Sequence, residues 1–404
     1  MLFSINLNQW ENISSDLSPN HLIKIDDDLY GSGQGGFFIY DLEDGNFRLN
    51  NHEHCLEVSS ITTDNNNSLW VLCESGVIYK NNSNLIINHL GIDEANDFII
   101  SGQKIYVMYK NNNIHGIADF SFNSNSFIYQ DYYESFTGNS YEEFHSIAVL
   151  NDFIYILTDS GLYYANTNTN LKFADNWNLL SDIPIPLDIV SFNDRLVFIY
   201  SNSLNMYNIN ENSDFTEISS ISIELGNFIN QSVNNDILTI LGSDKIISIS
   251  TDFDIISEYI GDFNDASCIY SDFNNIYLGI KDQGFWVIDN SIQKCSPNTP
   301  LSYDIEALYY NEDKLYGISR DGIFIYNQNI FFNLLSYRNQ NSFLTSDYID
   351  DCNMFNGFQL DYVPGTKLSS SIVAYNNKIF LPNSGIIPSE EDNKGGFIII
   401  DEDS

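Results

Sequence analysis

Basic residues are what this chain lacks most. Its 404 residues hold 16 Lys and Arg against 55 Asp and Glu, a formal net charge of −39. A nucleic-acid backbone is bound by clustered Lys and Arg that displace counterions, and no such cluster occurs anywhere in the sequence. Nucleic acid is therefore excluded as a partner, and anionic membrane surfaces are disfavoured. Asn, Ile, Tyr and Phe are abundant, as an AT-rich coding sequence would give, yet Lys, also AT-coded, is rare. An acidic surface of this kind suits a saline medium that damps self-repulsion, or simply an acidic exported protein.

Cysteine is scarce as well. Cys55, Cys73, Cys268, Cys295 and Cys352 show no C-x-x-C spacing, which removes support for zinc and thioredoxin-like chemistry. Cys73 and Cys268 lie in apolar strand text and read as small buried hydrophobes. A Cys55–Cys73 or Cys295–Cys352 bridge stays open if the compartment is oxidising. No apolar run approaches the roughly 18 residues that span a bilayer, so no transmembrane segment is expected. Stretches with apolar residues at three-and-four spacing are also missing, and charged i,i+4 pairs are nearly absent. What remains is a chain 43% hydrophobic and 14% aromatic, ample for a large core. Its class is all-β.

One unit recurs: an apolar strand, a polar break with Gly, and a second strand ending in Asp or Asn. Clear copies are GGFFIYD from Gly35 to Asp41, SLWVLCESGVIYKN from Ser68 to Asn81, FIYILTDSGLYYAN from Phe153 to Asn166, NIYLGIKDQGFWVID from Asn275 to Asp289 and KLYGISRDGIFIYN from Lys314 to Asn327. Weaker copies fill Ile105–Ile117, Leu196–Asn208, Ile237–Ile249 and Ile379–Asp401. A period of about 40 residues is that of β-propeller blades, each a four-stranded antiparallel sheet. Runs such as Phe153–Leu157 suit strands buried on both faces, Asp159-Ser160-Gly161 supplies a tight turn, and Asp64–Asn67 and Asn274-Asn275 read as blade-rim loops.

Nine hairpins exceed the seven or eight usual in one ring, and Ser296-Pro297-Asn298 with Pro300 is the most linker-like break. The expected division is a seven-bladed propeller over residues 9–296, then residues 297–404 as the start of a second propeller with an irregular insertion from about Phe331 to Thr366. The competing solution is a single larger ring, clasped by a strand around Trp10 pairing with the one that ends at Asp401. Residues 1–8, Met1 to Asn8, read as a signal-peptide remnant without its basic segment, the mature chain opening near Gln9-Trp10, or else as a buried N-terminal strand.

Chemistry is mostly absent. In His52-Glu53-His54-Cys55 the two imidazoles would share one side of a strand; the motif is either a metal ligand set or a polar turn into the second repeat. Asp26-Asp27-Asp28 and Asp252-Phe253-Asp254 offer oxygen ligands but lack the Gly and distal Glu of a calcium loop, and read better as hairpin tips. There is no G-x-S-x-G elbow, no Gly-His…Trp-Asp signature and no sialidase box. Gly35-Gly36 and Gly395-Gly396 are similar to the double glycine of kelch repeats, without the regularly placed aromatics. Carboxylate pairs at a hydrolytic separation carry no weight in so acidic a chain. No catalytic, cofactor-binding or metal residue is assigned, no cofactor is expected, and the chain is read as no enzyme.

Trp10-Glu11-Asn12-Ile13, Leu29-Tyr30 with GGFFIYD, Leu69-Trp70 with Gly76-Val77-Ile78-Tyr79, and the stretch Ile154–Ala165 together resemble two-component-regulator-type propeller repeats. The unit Gly161-Leu162-Tyr163-Tyr164-Ala165, followed by Asn170-Leu171 and Trp177, is similar to a phrase of the PorZ family, cell-surface propeller proteins of the type IX secretion system in Bacteroidota. That resemblance implies tandem propellers followed by a sorting-type β-domain, helping a surface sortase attach cargo to anionic lipopolysaccharide. The chain ends after Gly395–Asp401 without such a domain and reads as a fragment or a shorter relative, so the lipopolysaccharide step is not carried over. A non-catalytic scaffold in the periplasm or at the outer-membrane surface, binding protein partners of the cell envelope through rim loops, is the leading expectation. The alternatives are a periplasmic sensor propeller of a hybrid two-component system and a carbohydrate-binding or carbohydrate-active propeller, with Trp177 and Trp286 either stacking on a glycan or filling blade cores.

Overall fold

Each repeated hairpin is the centre of an antiparallel sheet, and the reason is visible in the fourth. There Phe144–Leu150, Phe153–Thr158, Gly161–Asn166 and Trp177–Leu180 pair in chain order. Ile154 and Ile156 enter one core with Tyr106, Met108 and Ile117 of the third sheet, whereas Tyr155 and Leu157 enter another with Leu196, Phe198 and Tyr207 of the fifth. One strand thus feeds two interfaces, which is why its text is apolar throughout rather than alternating. Each such side chain, fully buried, contributes about 1.5–3 kcal/mol.

The computed structural model describes residues 17–33, 36–50, 55, 57–81, 86–87, 92–123, 126–134, 136–138, 142–209, 215–234, 236–289, 291–299, 305–311, 314–319, 322–327, 330–336, 373–375, 378–383 and 396–401. They form eight four-stranded sheets and one of three strands, all antiparallel. The helix content among the described residues is the 3-10 turn Ala174–Asn176, and no helix among them is long and apolar enough to cross a membrane. The all-β class and the hairpin at the heart of every repeat are as expected.

The chain divides into two units, Asp16–Pro297, and Asn298–Ser404 with Met1–Ser15. The first contains seven four-stranded sheets. Their first strands are Leu22–Ile25, Val58–Thr63, Glu94–Ser101, Phe144–Leu150, Asp188–Phe192, Phe228–Asn234 and Ala266–Ser271. Six of the seven neighbouring pairs of these strands meet, and the strands stand nearest the axis; sheets five and six share a core of Val197, Ile199, Leu238 and Ile240.

Sheet seven closes on sheet one. Phe38 and Phe285 stack with centroids 5.7 Å apart, Lys24 Nζ lies 2.7 Å from Asp272 Oδ2, and Cys268 Sγ donates to the Pro19 carbonyl at 3.2 Å. The Gly284 N–H donates to the Leu17 carbonyl at 2.7 Å. Gly284 has φ +79°, and a Cβ there would stand 2.4 Å from the Cys295 carbonyl oxygen, so only glycine fits this seam.

In the second unit, Ile305–Asn311, Lys314–Ser319, Gly322–Asn327 and Ile330–Ser336 form the eighth sheet, and Val373–Tyr375, Lys378–Asn383 and Gly396–Asp401 the three-stranded one. The expected irregular start at Phe331 is corrected, because Ile330–Ser336 is the fourth strand of the eighth sheet, with Ile330 exposed and Phe331 buried. Asn298 fastens this strand, its Nδ2 donating to the Phe331 carbonyl at 2.9 Å and its Oδ1 accepting the Phe331 N–H at 2.7 Å.

Cys73 needs a second correction: it is bonded to Cys55 rather than resting as a lone buried thiol. The edge of the second sheet pairs Val58 with Cys73 and brings the two Cα atoms to 5.5 Å, within disulfide reach. Cys268 is a free buried thiol as expected, and Cys295 is another. Residues 1–8, Trp10, His52, His54 and Cys352 lie outside the described residues.

Candidate functional site

Polar side chains gather where the inner strands begin. A bulge skips Ser59, Asn96, His145, Ile229 and Ser267 in sheets two, three, four, six and seven. Bulges re-aim the residues beside them, here beside Ser60, Asp97 and Ser146. Ser60 Oγ donates to Asp97 Oδ1 at 2.8 Å, and the Phe98 N–H donates to the same oxygen at 2.8 Å. In the fifth sheet Asp188 opens the inner strand, accepting the Ile189 N–H at 2.7 Å. From the flanking fourth sheet, Ser146 Oγ donates to the neighbouring Ile189 carbonyl at 3.3 Å.

Burial dominates the electrostatics of this group. It pushes the Asp188 carboxyl up to about 6 despite the hydrogen bonds from Ser146, Ile189 and Gln231, with Asp97 adding to the rise. Burial likewise holds His21, which leads into the first inner strand, below the ordinary imidazole range, Asp97 acting in the other direction. His21 Nδ1 is buried and has no hydrogen-bond partner among the described residues. No Lys or Arg forms an ion pair with Asp97 or Asp188 among them. Nor, among the described residues, do three or more His, Cys, Asp or Glu come together in an arrangement that holds a metal ion. Chemically, the start of the inner strands holds carboxylates that accept hydrogen bonds from Ser60, Phe98 and Ile189.

The segment 181–187 enters beside it. Ile185 and Leu187 are 50% and 48% exposed, yet the segment is pinned: Tyr200 Oη donates to the Pro184 carbonyl at 3.1 Å, and the Leu187 N–H to the Ile199 carbonyl at 2.7 Å. At the opposite end of the inner strands, Asp carboxylates serve as turn formers. Asp64 Oδ1 accepts the Asn66 and Ser68 N–H groups, while its Oδ2 accepts Trp70 Nε1–H at 3.0 Å and Lys80 Nζ at 2.8 Å. Asp272 repeats the device, with Asn274, Asn275 and Lys24 as donors.

PorZ, an essential bacterial surface component of the type-IX secretion system of Porphyromonas gingivalis, has a similar structure, with a TM-score of 0.65 at 13% identity over 93% of this chain. The fold is a β-propeller. This chain spans about half the length of PorZ, 51%, and identity this low speaks for the fold alone. Weaker likenesses are the β-propeller domain of Cps50 (Swd1) from Myceliophteria thermophila, TM-score 0.48 at 8% identity over 66% of this chain and 94% of that one, and virginiamycin B lyase from Staphylococcus aureus, TM-score 0.45 at 14% identity over 67% and 94%. No protein-family model matches the chain, and no curated protein matches it in sequence.

Within the propeller the residues singled out from sequence take structural places. Trp177 is 7% exposed and stacks on Phe136 at 3.9 Å, its Nε1–H donating to the Leu171 carbonyl at 2.8 Å. That bond accounts for the Asn-Leu…Trp phrase: Asn170 turns the chain so that Leu171 meets the indole. Trp286 is half-buried with Lys294 Nζ 4.9 Å from its ring centre. Asp26 and Asp27 form a hairpin tip, with Asp26 at φ 53°. At the tip Asp252–Asp254, Phe253 adopts φ 63° while its ring is buried in the core shared by sheets five and six, which compensates for a backbone state unusual in Phe. His21, Asp97 and Asp188 were not singled out. The available signal was a carboxylate inside strand text, in Glu94-Ala95-Asn96-Asp97-Phe98.

Proposed function

We propose that this chain is a non-catalytic propeller exported to the cell envelope, where it acts as a protein-interaction scaffold, as an accessory of type IX secretion. The Cys55–Cys73 disulfide carries the exported part of this reading, since such bonds persist in oxidising compartments and are rare in the cytosol. Likeness to PorZ supports the secretion part. Buried carboxylates engaged by donors, as at Asp64 and Asp272, support a structural rather than catalytic use of acid groups. In this reading residues 9–296 are one propeller, and residues 297–404 begin a second.

Thiol labelling of the chain in its native cells tests the location. Cys55 and Cys73 are expected to resist alkylation until a reductant is added, and the chain to be cleaved by protease added to intact cells or to their periplasmic fraction. Full labelling of both thiols without reductant would place the chain in a reducing compartment and end the proposal. Deleting the gene is expected to lower the release of type IX cargo; unchanged release would remove the secretion role and leave the scaffold.

A further inference from the structure

The outermost strand of the third sheet, Phe127–Glu134, is eight residues long, while that of the second sheet, Ile86–Ile87, has two. Its rings are covered unevenly. Phe127 packs edge-on against Trp70 of the second sheet at 5.2 Å, but further along the strand Tyr129 and Tyr132 are 51% and 49% exposed. Both stand on one side. They pair with Phe120 and Ala118, which lie in the core shared by sheets two and three, and opposed residues of an antiparallel pair share a face. A bulge at Gln130 sets their spacing.

This stretch already holds one base. Asn170 turns the chain of the fourth sheet, and Lys172 from that turn places its Nζ 2.6 Å from Asp131 Oδ1 and 5.1 Å from the centre of the Tyr132 ring. A carboxylate and an aromatic face thus share one ammonium. Tyr129 meets Phe120 edge-on at 5.6 Å and has no cation over its ring among the described residues. Asp131 and Glu134 belong to the same strand, which contains no Lys or Arg.

We infer that this outer wall takes a Lys or Arg side chain of a partner protein, the cation lying on the Tyr129 ring beside the acids of the strand, as Lys172 lies on Tyr132. Two observations select that occupant. Lys172 shows the chemistry in place within the chain, and a net charge of −39 steers basic partners towards the wall and acidic ones away. An added β-strand fits less well, since the bulge at Gln130 distorts the free edge that strand pairing would need. The inference rests on the scaffold reading above and gives it a docking face.

The probes are a fluorescein-labelled peptide, Gly-Arg-Leu-Arg-Gly with blocked ends, and its counterpart with Glu in place of Arg, followed by fluorescence polarisation on the purified full chain at low salt. The Arg peptide is expected to bind and the Glu peptide to stay free. Tyr129→Leu keeps an apolar side chain and the net charge but removes the ring face, and a loss of about fivefold in affinity is expected. Lys172→Ala vacates a second seat, and a gain of about threefold is expected, which vanishes when Tyr132→Leu is added. Circular dichroism spectra matching the parent verify folding; Tyr129→Leu, at an exposed position, keeps the test open if the Tyr132→Leu variant misfolds. No binding of the Arg peptide, equal binding of the Glu peptide, affinity unmoved by Tyr129→Leu, or no gain on Lys172→Ala each overturns the inference. Because binding is read on purified protein, failure here would leave the exported scaffold with a different docking face, while failure of thiol protection would leave this site standing.

Discussion

Asp64 and Asp188 occupy opposite ends of the inner-strand layer and are treated in opposite ways. Burial drives the Asp64 carboxyl upward, but Lys80, Trp70 and the N–H groups of Ser68 and Asn66 outweigh it and bring it down to about 2. Asp188 has neutral donors only, and burial wins, leaving it at about 6. The first is a completed structural device in which every acceptor has found a donor. The second keeps a cost that folding alone does not repay, and such unrelieved cost marks binding positions more often than scaffolding.

Breaking the completed end should have the largest effect. Asp64→Asn removes the carboxylate shared by Lys80 and the buried Trp70 indole, and a loss of about 3 kcal/mol is expected in denaturant unfolding. An unchanged midpoint would show that the network is ornamental. Next comes acid titration of the parent protein. The folded Asp64 value lies below its unfolded one, so its contribution is present above about pH 4 and is lost as pH falls towards 2, amounting to about 2 kcal/mol. In Asp64→Asn that part of the acid dependence should vanish.

Asp188 should show the reverse sign. Its folded value lies above the unfolded one, so the stability it lends through protonation is complete below about pH 4 and disappears as pH rises through about 6. Asp188→Asn is therefore expected to stabilise the protein at pH 7 by about 1 kcal/mol and to flatten this pH dependence. Destabilisation at pH 7 would mean that the charge is already compensated and would erase the contrast between the two ends. The smallest change is expected for Lys24→Met, which removes the partly exposed partner of Asp272 at the ring seam. About 0.5 kcal/mol in thermal unfolding is anticipated, clearly less than at Asp64.

Much of the architecture was legible because propeller physics writes itself into local text. A strand buried on both faces must be apolar at every position, as in Phe153–Thr158, and a hairpin needs Gly or short polar residues at its tip. The Asn and Asp clusters at Asp64–Asn67 and Asn274-Asn275 were readable as turns for the same reason. Less legible were outer strands such as Ile330–Ser336, without a turn signature of their own, and the partnership of Cys55 with Cys73, where apolar surroundings suit a free thiol and a bonded one equally.

Repeat length, hairpin positions, strand burial and the acidic character were set by residues close together in the chain, since periodicity, turn chemistry and net charge are local or additive properties. Which sheet closes on the first, and which polar atoms face each other across the axis, were decided only in three dimensions. Lys24 meets Asp272 across 248 residues, and Ser146 of the fourth sheet meets the Ile189 carbonyl of the fifth. No local pattern encodes such pairings, because they arise from the sum of seven sheet-to-sheet rotations and from bulges that turn individual side chains toward the axis.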